Sequence, residues 1–177
     1  MSVHSAGILL FRFRVERLQV LLVHPGGPFW SGKDEGAWSI PKGVVDEQET
    51  PLEAAKREFE EETGFEVEGQ FIDLGTIRQP SKKIVHVWAL KSDVDAALAT
   101  SNIFTMEWPR KSGIMREFPE IDKAEWFDFE KARKKILKGQ AGFMDRLMKA
   151  VNFEPKKEFQ DHKEPPDQPS LAKWAND

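Results

Sequence analysis

The chain of 177 residues contains no cysteine. This absence excludes a disulfide framework, a thiolate nucleophile and a zinc site built on cysteine ligands. It is compatible with a cytoplasmic setting, which we expect for this protein. No uninterrupted apolar stretch approaches about 20 residues, the length that crosses a bilayer, so no membrane contact by a spanning segment is expected. The amino terminus also lacks the basic region, apolar run and cleavage site of a secretory signal.

An excess of basic charge is also missing. The net charge is -4 at pH 7 and the pI is about 5.7, which disfavours nucleic acid as a partner because nucleic-acid scaffolds usually carry a basic surface. A small acidic substrate remains compatible with this balance if metal ions or a few Lys and Arg side chains handle its charge. With 40% hydrophobic and 32% charged residues, the composition indicates one globular domain plus a short extension.

Alternating strand-like and helix-like segments predict an α/β fold, a mixed sheet with helices packed on it. We predict strands at 3–13, 18–24, 38–40, 71–79, 83–91, 103–108 and 124–127, and helices at 51–63, 128–138 and 140–151. The domain is predicted to cover residues 1–154. Residues 155–177 are polar, rich in proline and aperiodic, which predicts a mobile tail with Trp174 as a docking point.

The first predicted helix has clear end signals and a run of glutamates. Thr50 is a typical cap, Pro51 fits the first helical position, and Gly64 is a typical residue after the last turn. At about 100° per residue, one stripe of the helix is apolar and faces the core: Leu52, Ala55 and Phe59. Three carboxylates lie on an arc beside that stripe, namely Glu58, Glu61 and Glu62, whereas Glu53, Lys56 and Glu60 point toward solvent.

Convergent carboxylates on one helix edge repel one another, and they lie near the helix C-terminus, where the dipole disfavours anions. A solvated acidic face is the simplest interpretation of such a run taken alone. A bound divalent cation would offset both penalties, and oxygen ligands suit Mg²⁺, which favours substrates that carry phosphates.

The spacing of residues around this helix favours the metal site. Residues 43–65, GVVDEQETPLEAAKREFEEETGF, resemble the complete signature of the Nudix hydrolases, with each of its specified positions filled: Gly43, Glu49, Arg57, Glu58, Phe59, Glu61, Glu62, Gly64 and Phe65. The resemblance extends over roughly residues 3–151. It implies an α/β/α sandwich that holds Mg²⁺, with Mn²⁺ as a substitute, and cleaves nucleoside diphosphates linked to another group.

The resemblance also implies roles for individual residues. Glu58, Glu61 and Glu62 match the metal-binding and catalytic carboxylates, and the backbone carbonyl of Gly43 matches a further metal ligand. Arg57 with Glu49 resembles the pair that orients those carboxylates. A further catalytic carboxylate is expected after the helix; we favour Glu120 over the other candidates, Glu107, Glu117 and Glu125, with a plain surface glutamate as the alternative.

Aromatic and basic residues elsewhere are candidates for substrate binding. Phe29 and Trp30 lie in a loop rich in Gly and Pro, where they would either stack on a base or cover the edge of the core. Candidates for contact with phosphates are Lys42, Lys83, Arg110 and Arg116. His86 is interpreted as a polar strand residue, and His24 has no partner that the sequence reveals.

The sequence therefore predicts a Mg²⁺-dependent hydrolase that cuts a phosphoanhydride bond in a nucleoside diphosphate-linked substrate, with a dinucleoside polyphosphate or a nucleoside triphosphate as candidates. The alternative is a Nudix-fold module that senses a nucleotide without cutting it. An RNA-end processing enzyme is a third reading, disfavoured by the acidic balance. The sequence indicates no oligomeric state.

Overall fold

The computed structural model describes residues 2–155. The predicted tail, apart from Pro155, and the predicted docking of Trp174 lie outside the described residues. The strands are β1 His4–Arg14, β2 Arg17–Pro25, β3 Lys42–Val44, β4 Ile72–Arg78, β5 Ile84–Lys91, β6 Ile103–Glu107, β7 Met115–Pro119 and β8 Ile121–Asp128. The helices are α1 Pro51–Thr63, α2 Phe129–Lys135 and α3 Ala141–Ala150, with short 3₁₀ turns at Ala96–Leu98 and Lys138–Gln140.

Within residues 2–155 a mixed six-stranded sheet has the order β4-β5-β1-β2-β8, and β3 pairs with the first half of β1. β1 runs parallel to β5 and antiparallel to β2 and β3. Because β2 pairs only with the last residues of β1, from Phe11 to Arg14, the first half of β1 is free to accept β3. This split places β3 and the segment that follows it beside the centre of the sheet.

The central strand β1 is buried on both faces, which explains its nearly continuous apolar sequence. Leu9 and Phe11 belong to a core shared with α2 and α3. Ile8 and Leu10 point the other way, into a second core shared with α1. The sheet therefore lies between helices on both sides, and the predicted α/β/α sandwich with a mixed sheet is confirmed.

Three sequence predictions about elements were wrong. Residues 38–40 form isolated bridges, Val23 with Ser39 and Trp38 with Ile136, and not a strand; the strand comes after Pro41. Strand β7 was missed because it pairs only with β6 in a separate two-stranded sheet that leaves much of both strands exposed. Helix α2 ends at Lys135, three residues early, since the backbone of Ile136 turns extended to pair with Trp38.

Helix α1 begins and ends as predicted. The Thr50 side chain accepts from the Glu53 amide while the Glu53 carboxylate accepts from the Thr50 amide, a reciprocal capping box. Gly64 adopts the left-handed conformation, with φ 78°, and its amide donates to Glu60. Among the described residues, no helix is long and apolar enough to cross a membrane.

Candidate active site

The site is built where β3 meets the C-terminal half of α1. Gly43 pairs with Ala6 of β1, and α1 packs against both strands. A Cβ atom added to Gly43 would lie 1.9 Å from the carboxyl carbon of Glu58. Only glycine leaves room for that carboxylate, so the backbone of β3 and the Glu58 side chain are in direct contact.

Arg57 links the carboxylates of α1 to the segment before the helix. Its guanidinium donates to Glu49 through two nitrogens, at 2.6 and 3.1 Å. The remaining nitrogen donates to Glu58 at 2.9 Å and to Glu61 at 3.3 Å, and a further bond of 3.0 Å reaches the carbonyl of Val44. One planar cation therefore orients three carboxylates at once, which a lysine could not do. The predicted contact between Arg57 and Glu49 is present.

Glu62 accepts a hydrogen bond of 3.0 Å from the backbone amide of Lys42, the residue before Gly43. Burial raises the pKa of the Glu62 carboxyl to about 8, with the charges of Glu58 and Glu120 adding to the effect and Lys42 opposing it. Burial also lowers the pKa of the Lys42 ammonium, and the nearby charge of Lys83 lowers it further.

Glu120 lies between β7 and β8 and is brought to the same place from a distant part of the chain. Its negative charge contributes to the raised pKa of both Glu58 and Glu62, for which burial is the main cause. Its backbone is held from two directions: its carbonyl accepts from Gly26 at 2.8 Å, and its amide donates to Asn102 at 2.8 Å. The structure thus brings Glu58, Glu61, Glu62 and Glu120 into one acidic region.

These donors fit a hard divalent cation by their chemistry. All are carboxylate or carbonyl oxygens, the kind that Mg²⁺ and Mn²⁺ prefer. The contact between Gly43 and Glu58 forms a cradle that a Cβ atom would fill. Among residues 2–155, no three acidic or histidine side chains are arranged to coordinate a cation as they stand. The carboxylates of Glu58 and Glu61 are turned toward Arg57, and that of Glu62 accepts from the Lys42 amide. These side chains would have to rotate for the region to hold a cation.

An aromatic and cationic cluster is formed by the loop after β2 and the β6–β7 hairpin. The rings of Phe29 and Trp108 meet edge to face with centroids 5.6 Å apart. The guanidinium of Arg110 lies over the Phe29 ring at 4.7 Å. Phe29 is 42% exposed and lies outside both core clusters of the described residues, so part of its surface is accessible to a ligand.

The other residues predicted to bind substrate lie in different parts of the structure. Trp30 lies in the same loop as Phe29, with the ammonium of Lys33 at 5.1 Å from its ring. Lys83 is close enough to Lys42 to influence its ionisation. Arg116 lies on β7 opposite Met106 and is exposed. Among residues 2–155 it makes no hydrogen bond or ion pair with the acidic region.

Sequence reasoning missed two parts of this neighbourhood. Trp108 lies two residues before Arg110, the start of the basic run at residues 110–116, and that proximity was the available signal. His24 was judged to have no partner, but it is almost fully buried and contacts Asp122 at 2.8 Å and the carbonyl of Lys33 at 2.7 Å. Asp122 lies far from His24 in the sequence, and Lys33 contributes only a backbone carbonyl from a loop. No local sequence pattern therefore indicates either contact.

The α/β/α sandwich and its site define a class of protein in which an acidic helix edge lies against a glycine of the neighbouring strand and an arginine orients the carboxylates. The family is shown by comparison: residues 1–147 match the model of the NUDIX domain, and the chain belongs to that family. Members of this family are pyrophosphohydrolases.

Known proteins of this family resemble the chain to different extents. It is 29% identical over 112 residues to mRNA-decapping enzyme subunit 2 of Saccharomyces cerevisiae (strain YJM789), an alignment that covers 60% of this chain and 10% of the relative. The chain thus spans a small part of that relative's length. Among solved structures, the NUDIX domain of Shewanella oneidensis NrtR complexed with ADP ribose has a TM-score of 0.59 at 16% identity, covering 85% of this chain and 89% of that one.

A second solved structure, a C. elegans Ap4A hydrolase binary complex, has a TM-score of 0.57 at 21% identity, with 84% of this chain and 98% of that chain covered. At these identities the two structures establish the shared fold.

Proposed function

We propose that this chain is a Mg²⁺-dependent hydrolase that cleaves a phosphoanhydride bond in a nucleoside diphosphate-linked substrate, with dinucleoside polyphosphates and nucleoside triphosphates as the first candidates. The observation that carries the proposal is the acidic region at β3. Glu58 contacts β3 at Gly43, Glu62 accepts from the Lys42 amide, and Arg57 orients Glu58 and Glu61. The fold neighbour that is an Ap4A hydrolase agrees with the first candidate substrate.

In this proposal Glu58, Glu61, Glu62 and the Gly43 carbonyl would hold the cation, and a cation there would supply charge neutralisation for phosphate oxygens and activation of water. Arg57 fixes the carboxylates that it contacts. Burial raises the pKa of the Glu62 carboxyl to about 8, so a cation would bind there in exchange for the carboxyl proton. Glu120 adds a further carboxylate from outside the helix.

The substrate side of the site is assigned to the loop after β2 and the β6–β7 hairpin. Phe29, exposed and backed by Trp108, offers a ring face for a base, and Arg110 brings positive charge to the same place. Lys42 and Lys83 supply positive charge beside the carboxylates. Replacing Phe29 by Ala is expected to weaken binding by about 1–3 kcal/mol, the range for stacking of a base on an aromatic ring. The loss should appear in KM with kcat little changed, and an unchanged KM with a lower melting temperature would contradict the assignment.

The proposal is tested by metal removal followed by a substrate panel. Purified protein is treated with chelator and assayed with dinucleoside polyphosphates, nucleoside triphosphates, nucleoside diphosphate sugars and capped RNA, with products identified by mass. Hydrolysis should stop in chelator and return with Mg²⁺ or Mn²⁺, and calorimetric titration of Mn²⁺ should show a site that Glu62→Gln weakens. Undiminished turnover in metal-free buffer would refute the mechanism.

Two alternatives make different predictions in the same panel. A nucleotide sensor would bind a panel member tightly and yield no product with any metal. An RNA-cap hydrolase is favoured by the similarity to the yeast decapping subunit and would cleave capped RNA in preference to free nucleotides. The net charge of -4 makes extended contact with RNA unfavourable, so free nucleotides are expected to be the better substrates.

A further inference from the structure

Glu120 reaches the acidic region from outside helix α1, and its distance from that helix has to be fixed by other residues. It is the single residue between β7 and β8, where the chain leaves the β6–β7 hairpin and enters the main sheet. It lies close enough to Glu58 and Glu62 for their charges to interact. Because Glu120 is exposed, side-chain packing does not hold it, and its position depends on how the backbone around it is held.

The last residues before β6 join the end of α1 to Glu120. The final carbonyls of a helix have no partner inside it. At the end of α1, the carbonyl of Glu61 accepts from the Asn102 amide at 3.3 Å, and that of Thr63 accepts from the Thr100 amide at 2.9 Å. The carbonyl of Asn102 accepts in turn from the Glu120 amide at 2.8 Å. A continuous series of backbone hydrogen bonds therefore runs from the last turn of α1 to Glu120.

The side chain of Ser101 extends this series to the residue after Glu120. Its hydroxyl oxygen accepts from the Ile121 amide at 3.0 Å. The hydroxyl hydrogen has two acceptors within reach, the carbonyl of Ile121 at 3.0 Å and that of Asn102 at 3.1 Å. The register partner of Ile121 on β2 is Pro25, which has no amide to donate. The serine hydroxyl thus takes the place of a strand partner at the first residue of β8.

Loss of this hydroxyl would affect Glu120 through Ile121. The amide of Ile121, which is partly buried, would lose its acceptor, and a buried donor without a partner costs free energy. A shift of the start of β8 toward water would relieve that cost. The same shift would move Glu120, the residue directly before β8, away from the carboxylates of α1.

We propose that Ser101 is a positioning residue whose hydrogen bonds to Ile121 hold Glu120 at a fixed distance from Glu58 and Glu62. Ser101 acts on the reaction through Glu120. The part of this inference that concerns turnover rests on the proposed function, whereas the attachment of the Glu120 backbone does not.

The test compares Ser101→Thr with Ser101→Val, which have nearly the same shape and differ in the hydroxyl. Ser101→Ala repeats the loss of the hydroxyl in a smaller side chain. Amide hydrogen exchange is measured at one pH in the metal-free proteins, with the core amide of Leu9 as reference. Exchange of the Glu120 amide should be about tenfold faster in Ser101→Val and Ser101→Ala, the factor that loss of one hydrogen bond represents. In Ser101→Thr it should stay close to the parent.

Turnover gives the second readout, with a substrate found in the panel. Ser101→Val should lower kcat about tenfold or more with KM little changed, because a displaced catalytic group slows the chemical step. Ser101→Thr should keep the kcat of the parent. In the Glu120→Gln background, Ser101→Val should cause little further loss, since residues that act as one unit are not additive.

The matched control is Asp95→Ala, in the same connection between β5 and β6. The Asp95 carboxylate also accepts from a backbone amide, that of Ala97 at 3.0 Å, and its removal should change neither Glu120 exchange nor kcat. Equal exchange of the Glu120 amide with and without the Ser101 hydroxyl would overturn the inference, as would a kcat loss of the same size in the Glu120→Gln background. If no panel member is turned over, the proposed function fails, while the exchange rates still decide whether Ser101 holds Glu120.

Discussion

At the scale of single residues, substitution of Glu62 should affect catalytic turnover and the stability of the fold in different ways. Glu62 is partly buried beside Lys42, whereas Glu60 is fully on the solvent side of the same helix. Glu62→Gln removes one charge with almost no change in volume and leaves an oxygen to accept from the Lys42 amide. We expect kcat to fall about 100-fold or more, the usual loss for a metal ligand or an acid–base group.

Glu60→Gln is the matched control for that substitution, since it changes the same residue type two positions away. Its kcat should stay within a few-fold of the parent. Without metal, Glu62→Gln should be as stable as the parent or more so, because burial disfavours the charge that it removes. Equal and small effects of the two substitutions on turnover would refute the role assigned to Glu62.

The raised pKa of Glu62 also predicts how the stability of the metal-free protein depends on pH. Between pH 4.5 and about 8 the folded protein keeps a proton on Glu62 that the unfolded chain has released. The folded state therefore binds more protons than the unfolded state, and this residue lowers stability as the pH rises through that range.

In chelator, the melting temperature should decline from pH 4.5 to 8 and level off above, and Glu62→Gln should flatten the decline. Added Mg²⁺ should raise the melting temperature most at the high end, because a carboxylate must lose its proton to bind a cation. A decline of the same size in Glu62→Gln would assign the effect to other groups.

At the scale of elements, the close packing of β3 on α1 determines where the Glu58 carboxylate lies. In Gly43→Ala the new Cβ would need the space of that carboxylate. The obstacle is the end of a flexible side chain, so the fold should survive with a small loss of stability. Glu58 must move, however, and Mn²⁺ affinity and kcat should both drop about tenfold or more.

Gly139→Ala is the control for this prediction. Its Cβ would meet Gln79 at 3.4 Å, an ordinary contact, and Gly139 lies in the 3₁₀ turn before α3. Melting temperatures, calorimetric Mn²⁺ affinity and kcat are measured for both variants. Gly43→Ala with unchanged metal affinity would show that the position of Glu58 does not depend on the β3 backbone.

At the scale of the whole molecule, residues just beyond α3 complete the packing of the domain. Phe153 packs against Phe13 and Phe129, with ring centroids 6.5 and 5.8 Å away, and its amide donates to Met148. Ending the chain after Val151 removes this contact and should lower the free energy of unfolding by about 1–3 kcal/mol, less than the cost of deleting a fully buried Phe, because Phe153 is only partly buried. Ending it after Pro155 should leave stability and kcat nearly unchanged.

The two truncations are compared by denaturant unfolding and by turnover. A large loss of stability in the longer one would show that residues 156–177 contribute to the fold. Similar stability of both would show that the Phe153 contacts are unimportant.

How much of this protein could be predicted from its sequence depends on how local each feature is. Helix α1, its caps and the arc of carboxylates beside Phe59 follow from neighbours within a few residues, because helix geometry converts spacing into direction. The strands β1 and β5 follow in the same way from apolar runs. The 38–40 segment was misassigned because its apolar residues pair with single residues of β2 and the segment after α2, not with a neighbouring strand.

The sequence by itself determined the acidic helix edge, the fold class and the family resemblance, since each is contained in local periodicity or in a fixed spacing of residue types. The tertiary structure alone decided that Glu120 joins Glu58 and Glu62, that Trp108 backs Phe29, and that His24 meets Asp122 and Lys33. Long-range strand pairing brings these residues together, and the burial that raises the pKa of Glu62 results from that same packing. Neither can be read from the order of residues along the chain.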